Sequence, residues 1–303
     1  MFKYACFILT SILFCAALQA RISSFGIPPQ YGINEDSADW DKINPNTWEV
    51  FTSFDGDKIL GNDRPSLTIA QVEYYSTLVM EGKRIGGNSI VASLSDRRGF
   101  FGGEGYMDLY WMAPVNSQYA QQGVIYGGWK YNLTNFLDLD LGGNVIYATK
   151  KVAGPGLTGS FSGESWRGDF YCGLSTDRLY LNPFAYIGYD PTYDSLKFQS
   201  GIHPTLDLEE YTGIKGLSLE GQATFGYVRS NQFSANPLPN DNDWHYSYAY
   251  VQLETQFVYQ ISQYRFFAGI GWTAANGGIK GPCGIDLGPD NMLWGSFGVG
   301  YIF

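Results

Sequence analysis

The chain has 303 residues, among them 23 Tyr, 20 Phe, 8 Trp and 38 Gly, and only 16% of it is charged. That mixture excludes disorder, which needs few aromatics and much charge. Acids outnumber bases 29 to 19, which excludes nucleic acid as a partner, because phosphate binding needs a basic surface.

Lys3 precedes an apolar stretch over 4–18, which runs into Cys15-Ala16-Ala17-Leu18-Gln19-Ala20. This length suits the apolar region of an export signal and is too short for a spanning helix. Cleavage is expected after Ala20, with Ala17 as second choice. Bulky Phe14 argues against lipoprotein processing at Cys15. Residues 1–20 therefore read as a signal peptide, leaving 18 bases against 29 acids. No later run of about 18 apolar residues could cross a bilayer as a helix.

Residues 21–65 are rich in Asp, Asn and Pro, as in Asn34-Glu35-Asp36 and Asn44-Pro45-Asn46, and show no sustained alternation. Trp40, Trp48, Val50 and Phe51 give at most a short amphipathic turn. The segment reads as a polar periplasmic arm or as a plug folded into the rest of the chain.

From Leu67 onward, apolar and polar residues alternate with the period of two that places them on opposite faces of a strand. Ala70, Val72, Tyr74, Leu78 and Met80 share a face against Gln71, Glu73, Tyr75 and Thr77. In Leu137-Asp138-Leu139-Asp140-Leu141 the leucines oppose the aspartates. Leu196, Phe198, Ile202, Leu206 and Leu208 oppose Lys197, Gln199, His203, Asp207 and Glu209, and Ala249, Val251, Leu253, Phe257 and Tyr259 oppose Tyr248, Gln252, Glu254 and Gln256. A half-buried soluble sheet alternates too, but its strands cluster near 5–6 residues, whereas tilted membrane strands need about 9–11.

Twelve strands are predicted, at 67–83, 88–94, 100–113, 120–131, 135–149, 165–175, 179–189, 195–209, 216–229, 246–261, 264–275 and 292–303. Connections after even-numbered strands are short, and the long ones, 150–164, 230–245 and 276–291, follow odd-numbered strands. This is the asymmetry of periplasmic turns and external loops. Residues 66–303 thus read as all-β: a transmembrane antiparallel up-and-down β-barrel in the bacterial outer membrane, with both termini periplasmic.

The last strand places Phe297, Val299, Tyr301 and Phe303 on one face and Ser296, Gly298 and Gly300 on the other. An exposed aromatic edge invites aggregation unless the strand closes a barrel. Ser296, Gly298, Tyr301 and Phe303 fit the slots of a pattern that resembles the C-terminal signal of bacterial outer-membrane barrels, which implies presentation of Phe303 to the barrel-assembly machinery.

The run from Tyr74 through Glu81-Gly82-Lys83-Arg84, Ser89-Ile90-Val91-Ala92-Ser93 and Gly99-Phe100-Phe101-Gly102-Gly103 to Trp111 resembles the opening hairpins of the TorF-like porin family. Gly128-Trp129-Lys130-Tyr131, the Leu/Asp run, Ser165-Trp166-Arg167-Gly168 and the closing strand follow in similar order and spacing. Met80-Glu81-Gly82 stands where that family usually carries Tyr-Arg-Gly. The resemblance covers roughly 66–303 and implies a twelve-stranded outer-membrane barrel with channel activity.

With the apolar face towards lipid, Glu73, Glu104, Asp108, Asp138, Asp140, Asp169, Asp207, Glu209, Glu220 and Glu254 line the lumen, against Lys130, Arg167, Lys197 and Arg265. Such a lumen attracts cations and repels anions. The same residues could instead form a cross-strand network that fills the barrel, since twelve strands fall between filled eight-stranded barrels and open sixteen-stranded ones. Tyr75, Phe100, Tyr106, Tyr110, Tyr171, Tyr180, Phe184, Tyr186, Tyr248 and Tyr250 share that parity, as packing or as a track for a polar solute.

No catalytic residues, cofactor or metal are expected. His245 after Asp241-Asn242-Asp243-Trp244 reads as a loop residue leading into a strand, and His203 as a member of the lumen network. The pairs Asp190/Asp194, Asp241/Asp243 and Asp286/Asp290 match no calcium loop. Cys172 and Cys283 lie towards opposite ends of the barrel, which argues against a disulfide. The expected function is passive diffusion of small neutral or cationic solutes, with outer-membrane lipid and lipopolysaccharide as surroundings. The alternative is a non-conducting barrel with a structural, adhesive or lipid-binding role through its external loops, and a barrel hydrolase ranks behind both.

Overall fold

The computed structural model describes residues 67–100, 103–115, 119–134, 137–149, 151–152, 160–161, 165–176, 181–230, 246–276 and 291–303. The signal peptide and the 21–65 segment lie outside these residues, as do Tyr180, His245 and Cys283. So does the side chain of Phe100.

Twelve strands form one closed wall: β1 (Leu67–Tyr75), β2 (Ser89–Phe100), β3 (Gly103–Pro114), β4 (Gln122–Thr134), β5 (Leu137–Ala148), β6 (Ser165–Ser175) and β7 (Pro183–Asp190), then β8 (Ser195–Ile202, continued by Thr205–Asp207), β9 (Leu217–Ser230), β10 (Tyr246–Ile261), β11 (Tyr264–Ala275) and β12 (Asn291–Ile302). Each pairs antiparallel with the next. β12 returns to β1 through Val299↔Val72 and Phe297↔Tyr74, and the Phe303 N–H donates to the Thr68 carbonyl at 2.9 Å. Closure gives every wall strand a ladder partner on both sides, as lipid demands. The closing strand therefore has no open edge.

The wall is apolar outside and polar inside. Val72, Leu94, Ile125, Phe170, Ile187, Phe198, Phe225 and Val251 project outward and are exposed. Aromatic residues gather at both rims. Trp111 and the tilted Tyr147–Trp166 pair, 4.8 Å between centroids, lie at the end away from the chain termini. Trp129–Tyr131 and Tyr264–Tyr301–Phe303 lie at the other. Two aromatic girdles around an apolar band, with charge buried within, are the mark of a wall solvated by lipid. The chain is an outer-membrane β-barrel.

The structure corrects three strand boundaries. β1 ends at Tyr75 rather than at residue 83, β2 runs from Ser89 to Phe100 rather than over 88–94, and β3 begins at Gly103. Leu78 and Met80, predicted to face lipid, belong instead to an inner hairpin, Leu78–Met80 paired with Lys83–Gly86. β8 breaks at His203-Pro204, because proline has no N–H to give the ladder. A single helical turn, α1 (Glu209–Thr212), then leads into β9, ending at Gly213 with φ +72°.

Candidate functional site

The inner hairpin occupies the barrel at the end away from the termini. Glu81 (φ +50°) and Gly82 (φ +73°) form its two-residue turn, and two successive left-handed residues are what a tight hairpin twist requires. Gly82 is obligatory on a second count: a Cβ there would lie 2.4 Å from the Tyr250 Cβ. Leu78, Val79, Met80 and Ile85 are all buried. They join Tyr75, Val91, Tyr110, Met112, Val124, Tyr126, Ile146, Met292 and Trp294 in one apolar cluster, so this flank rests on β1–β5 and β12.

The tip reaches the opposite wall. Lys197 on β8, fully buried, donates to Glu81 Oε1 at 2.6 Å and to Asp169 Oδ2 at 2.9 Å. The Tyr248 hydroxyl on β10 donates to the Glu81 carbonyl at 2.9 Å. Arg167 on β6 donates to Met80 Sδ at 3.5 Å and stands 3.8 Å from Asp190. Charges buried this deeply persist only when paired, and here the pairing joins residues 116 positions apart.

Two further polar groups line the half nearer the termini. On one side, Asp140 accepts from the Tyr106 hydroxyl at 2.7 Å and the Tyr186 hydroxyl at 2.9 Å, while the Tyr106 and Tyr171 hydroxyls are 2.6 Å apart. Arg97 sits 5.0 Å above the Tyr106 ring and bonds Asp108 at 3.1 Å. Lys130 lies 3.5 Å from Asp138. On the other side, Arg265 donates to Glu220 at 2.7 Å and Gln71 at 3.2 Å, and Gln256 donates to Glu220 at 2.8 Å. Glu73 accepts from Gln71 and from the Tyr75 hydroxyl, and Glu254 accepts from Gln252.

Of the predicted lumen residues, Glu73, Asp108, Asp138, Asp140, Asp169, Glu220, Glu254, Lys197 and Arg265 are buried on the inner face. Glu104, Lys130 and Arg167 share that face and are partly buried. Asp207 and Glu209 do not join them. Both are exposed, because β8 ends at Asp207 and Glu209 opens α1, where its N–H donates to the Asp207 carboxylate. Tyr75, Tyr106, Tyr110, Tyr171, Tyr186, Tyr248 and Tyr250 are buried inward, and Phe184 is partly so.

Glu81, Arg97 and Asp190 also face the lumen, the last two although strand bounds drawn from the sequence pattern exclude them. Asp190, read as an external acid, is fully buried at the end of β7 and accepts from the Thr192 N–H at 2.8 Å. Asp194 accepts instead from the Tyr189 hydroxyl at 2.9 Å. The readable signal for Glu81 is Glu-Gly between the apolar Leu78-Val79-Met80 and the basic Lys83-Arg84, a turn pattern. His203 is buried at the break in β8, and its N–H donates to the Leu181 carbonyl at 2.8 Å. Cys172 is free and exposed on the outer wall. Among the described residues, no group of His, Cys, Asp and Glu could hold a metal ion.

No family model matches the chain, and no curated protein matches it. Similar solved structures include the NanC porin, 12% identical over 78% of this chain and 98% of that chain, with a TM-score of 0.41. The KdgM porin is 9% identical over 79% and 99%, with a TM-score of 0.40. LpxR from Salmonella typhimurium is 11% identical over 79% and 100%, with a TM-score of 0.41. Likeness this distant says nothing about what passes through a barrel.

Proposed function

We propose that this barrel is a porin-like channel for passive diffusion of small neutral or cationic solutes across the outer membrane. The charge balance of the inner wall carries the proposal. Arg97, Lys130, Lys197 and Arg265 each pair with an acid within 3.5 Å, and Arg167 faces Asp190 at 3.8 Å. Among the described residues, nine acids of the inner wall (Glu73, Glu104, Asp108, Asp138, Asp140, Asp169, Asp190, Glu220 and Glu254) stand against these five bases. A narrow, low-dielectric passage lined by more carboxylates than bases concentrates cations and repels anions.

Membership of the TorF-like porin family belongs to the same proposal and rests on the ordered blocks between Tyr74 and the closing strand. Periplasmic termini belong to it too, since the long connections then face outward. The proposal assigns no chemical reaction.

A second reading has one observation in its favour: Asp108, Lys197, Gln199 and Ser230 are fully buried, as in a filled barrel. In that reading the protein does not conduct and acts through its external loops. Swelling of vesicles carrying the refolded chain separates the two. Small neutral sugars should enter faster than into protein-free vesicles, and equal rates that persist when residues 77–87 are cut to Gly-Gly would favour the filled barrel.

A further inference from the structure

We propose that the tip of the inner hairpin is a gate, and that the Glu81–Lys197 ion pair is the catch that holds it shut. This rests on the channel reading above and specifies how the passage opens.

The hairpin spans the lumen. It leaves the wall between β1 and β2, and its tip meets Lys197 on β8, which stands nearly opposite in a ring of twelve. Its backbone is paired only with itself, through Val79↔Arg84 and Met80↔Lys83, as a separate two-stranded sheet. Movement of the tip therefore breaks no bond of the wall ladder.

The two flanks are held differently. The apolar side chains dock as a group on β1–β5 and β12, an anchor with no reason to leave. Opposite, the tip is held by Glu81 to Lys197, by the Tyr248 hydroxyl to the Glu81 carbonyl, by Arg167 against Met80 Sδ, and by Gly82 against the Tyr250 ring. Glu81 adopts φ +50°, a left-handed conformation that a glutamate holds only when its surroundings fix it. Lys197 also bonds Asp169 at 2.9 Å, so the β8 wall keeps a neutralised lysine after the tip departs. Release of the catch lets the tip retract onto its apolar base and frees the side of the lumen lined by β6, β8 and β10.

Single-channel recording on the full chain tests this, with folding checked by heat-modifiable gel migration. Glu81→Gln removes the charge, and Glu81→Gly removes the whole side chain while easing the left-handed turn, so the second variant is not threatened by misfolding. Both should raise open probability about tenfold or more, the worth of one charge-assisted hydrogen bond, with the unitary conductance of wild-type openings. A third chain has residues 77–87 cut to Gly-Gly, which the direct pairing of Tyr75 with Ser89 permits, and should stay open. If the shortened chain conducts while both Glu81 variants gate as wild type does, the hairpin is a fixed constriction and the catch is refuted. A folded shortened chain that does not conduct overturns the channel reading itself, so the two failures are distinguishable.

Discussion

Gly173→Ala should destabilise the barrel far more than one methyl group ordinarily does. Gly173 on β6 pairs directly with Tyr186 on β7, whose ring occupies the space a side chain at 173 would fill. A Cβ at 173 would stand 2.0, 2.4 and 2.5 Å from ring atoms of Tyr186. The ring has little room to yield, being buried, packed against Tyr171 and Phe184, and tied through its hydroxyl to Asp140 at 2.9 Å. Overpacking contributes about 1–3 kcal/mol of destabilisation. Loss of a hydrogen bond to a carboxylate adds about 1.5–3 kcal/mol, and the gain from replacing glycine within a strand offsets about 0.5–1 kcal/mol. The net expectation is about 2–5 kcal/mol, read from urea unfolding in lipid vesicles followed by tryptophan fluorescence. In a Tyr186→Ala background the same substitution should cost almost nothing, because the ring it strikes is gone. A cost below about 0.5 kcal/mol in the wild-type background, or an equal cost in both, would refute the packing argument.

Leu94→Arg places a cation on the lipid face midway along β2 and should destabilise by about 2–4 kcal/mol in the same unfolding assay; a neutral result would mean this face does not meet lipid. Glu73→Gln and Glu254→Gln together remove two of the nine described inner-wall carboxylates, so the reversal potential in a salt gradient should move towards zero, and an unchanged value would exclude them from the conduction path. Replacing Phe303 with glutamine removes the terminal aromatic that the assembly machinery is expected to read. Insertion into outer membranes in cells should fall severalfold while refolding in detergent proceeds, and equal loss of both would make the role purely structural.

The wall was legible in the sequence because period-two alternation over nine or more residues has few other sources, and because closure leaves the period intact around the ring. Parity alone placed Asp108, Asp140, Glu220 and Glu254 inside. The inner hairpin was not legible because Leu78 and Met80 continue the phase of Val72 and Tyr74, so a strand turning into the lumen reads like one continuing in lipid. Only the left-handed pair Glu81-Gly82 marks the turn. Asp207 and Glu209 were misplaced because a proline break and a helical turn interrupt β8, and alternation cannot register where a strand stops. Partnerships such as Glu81 with Lys197 depend on where the hairpin lands, a tertiary fact without local trace. Asp190 reads as a loop residue because the seventh strand runs one residue further than its apolar pattern.

The account turns on a passage whose inner wall carries more acid than base and which the hairpin tip closes. Its most direct test is the reversal potential of the chain with residues 77–87 cut to Gly-Gly, recorded in a planar bilayer across a potassium chloride gradient. The account predicts open channels with a potential of the sign that potassium permeability imposes. A potential on the chloride side would contradict it.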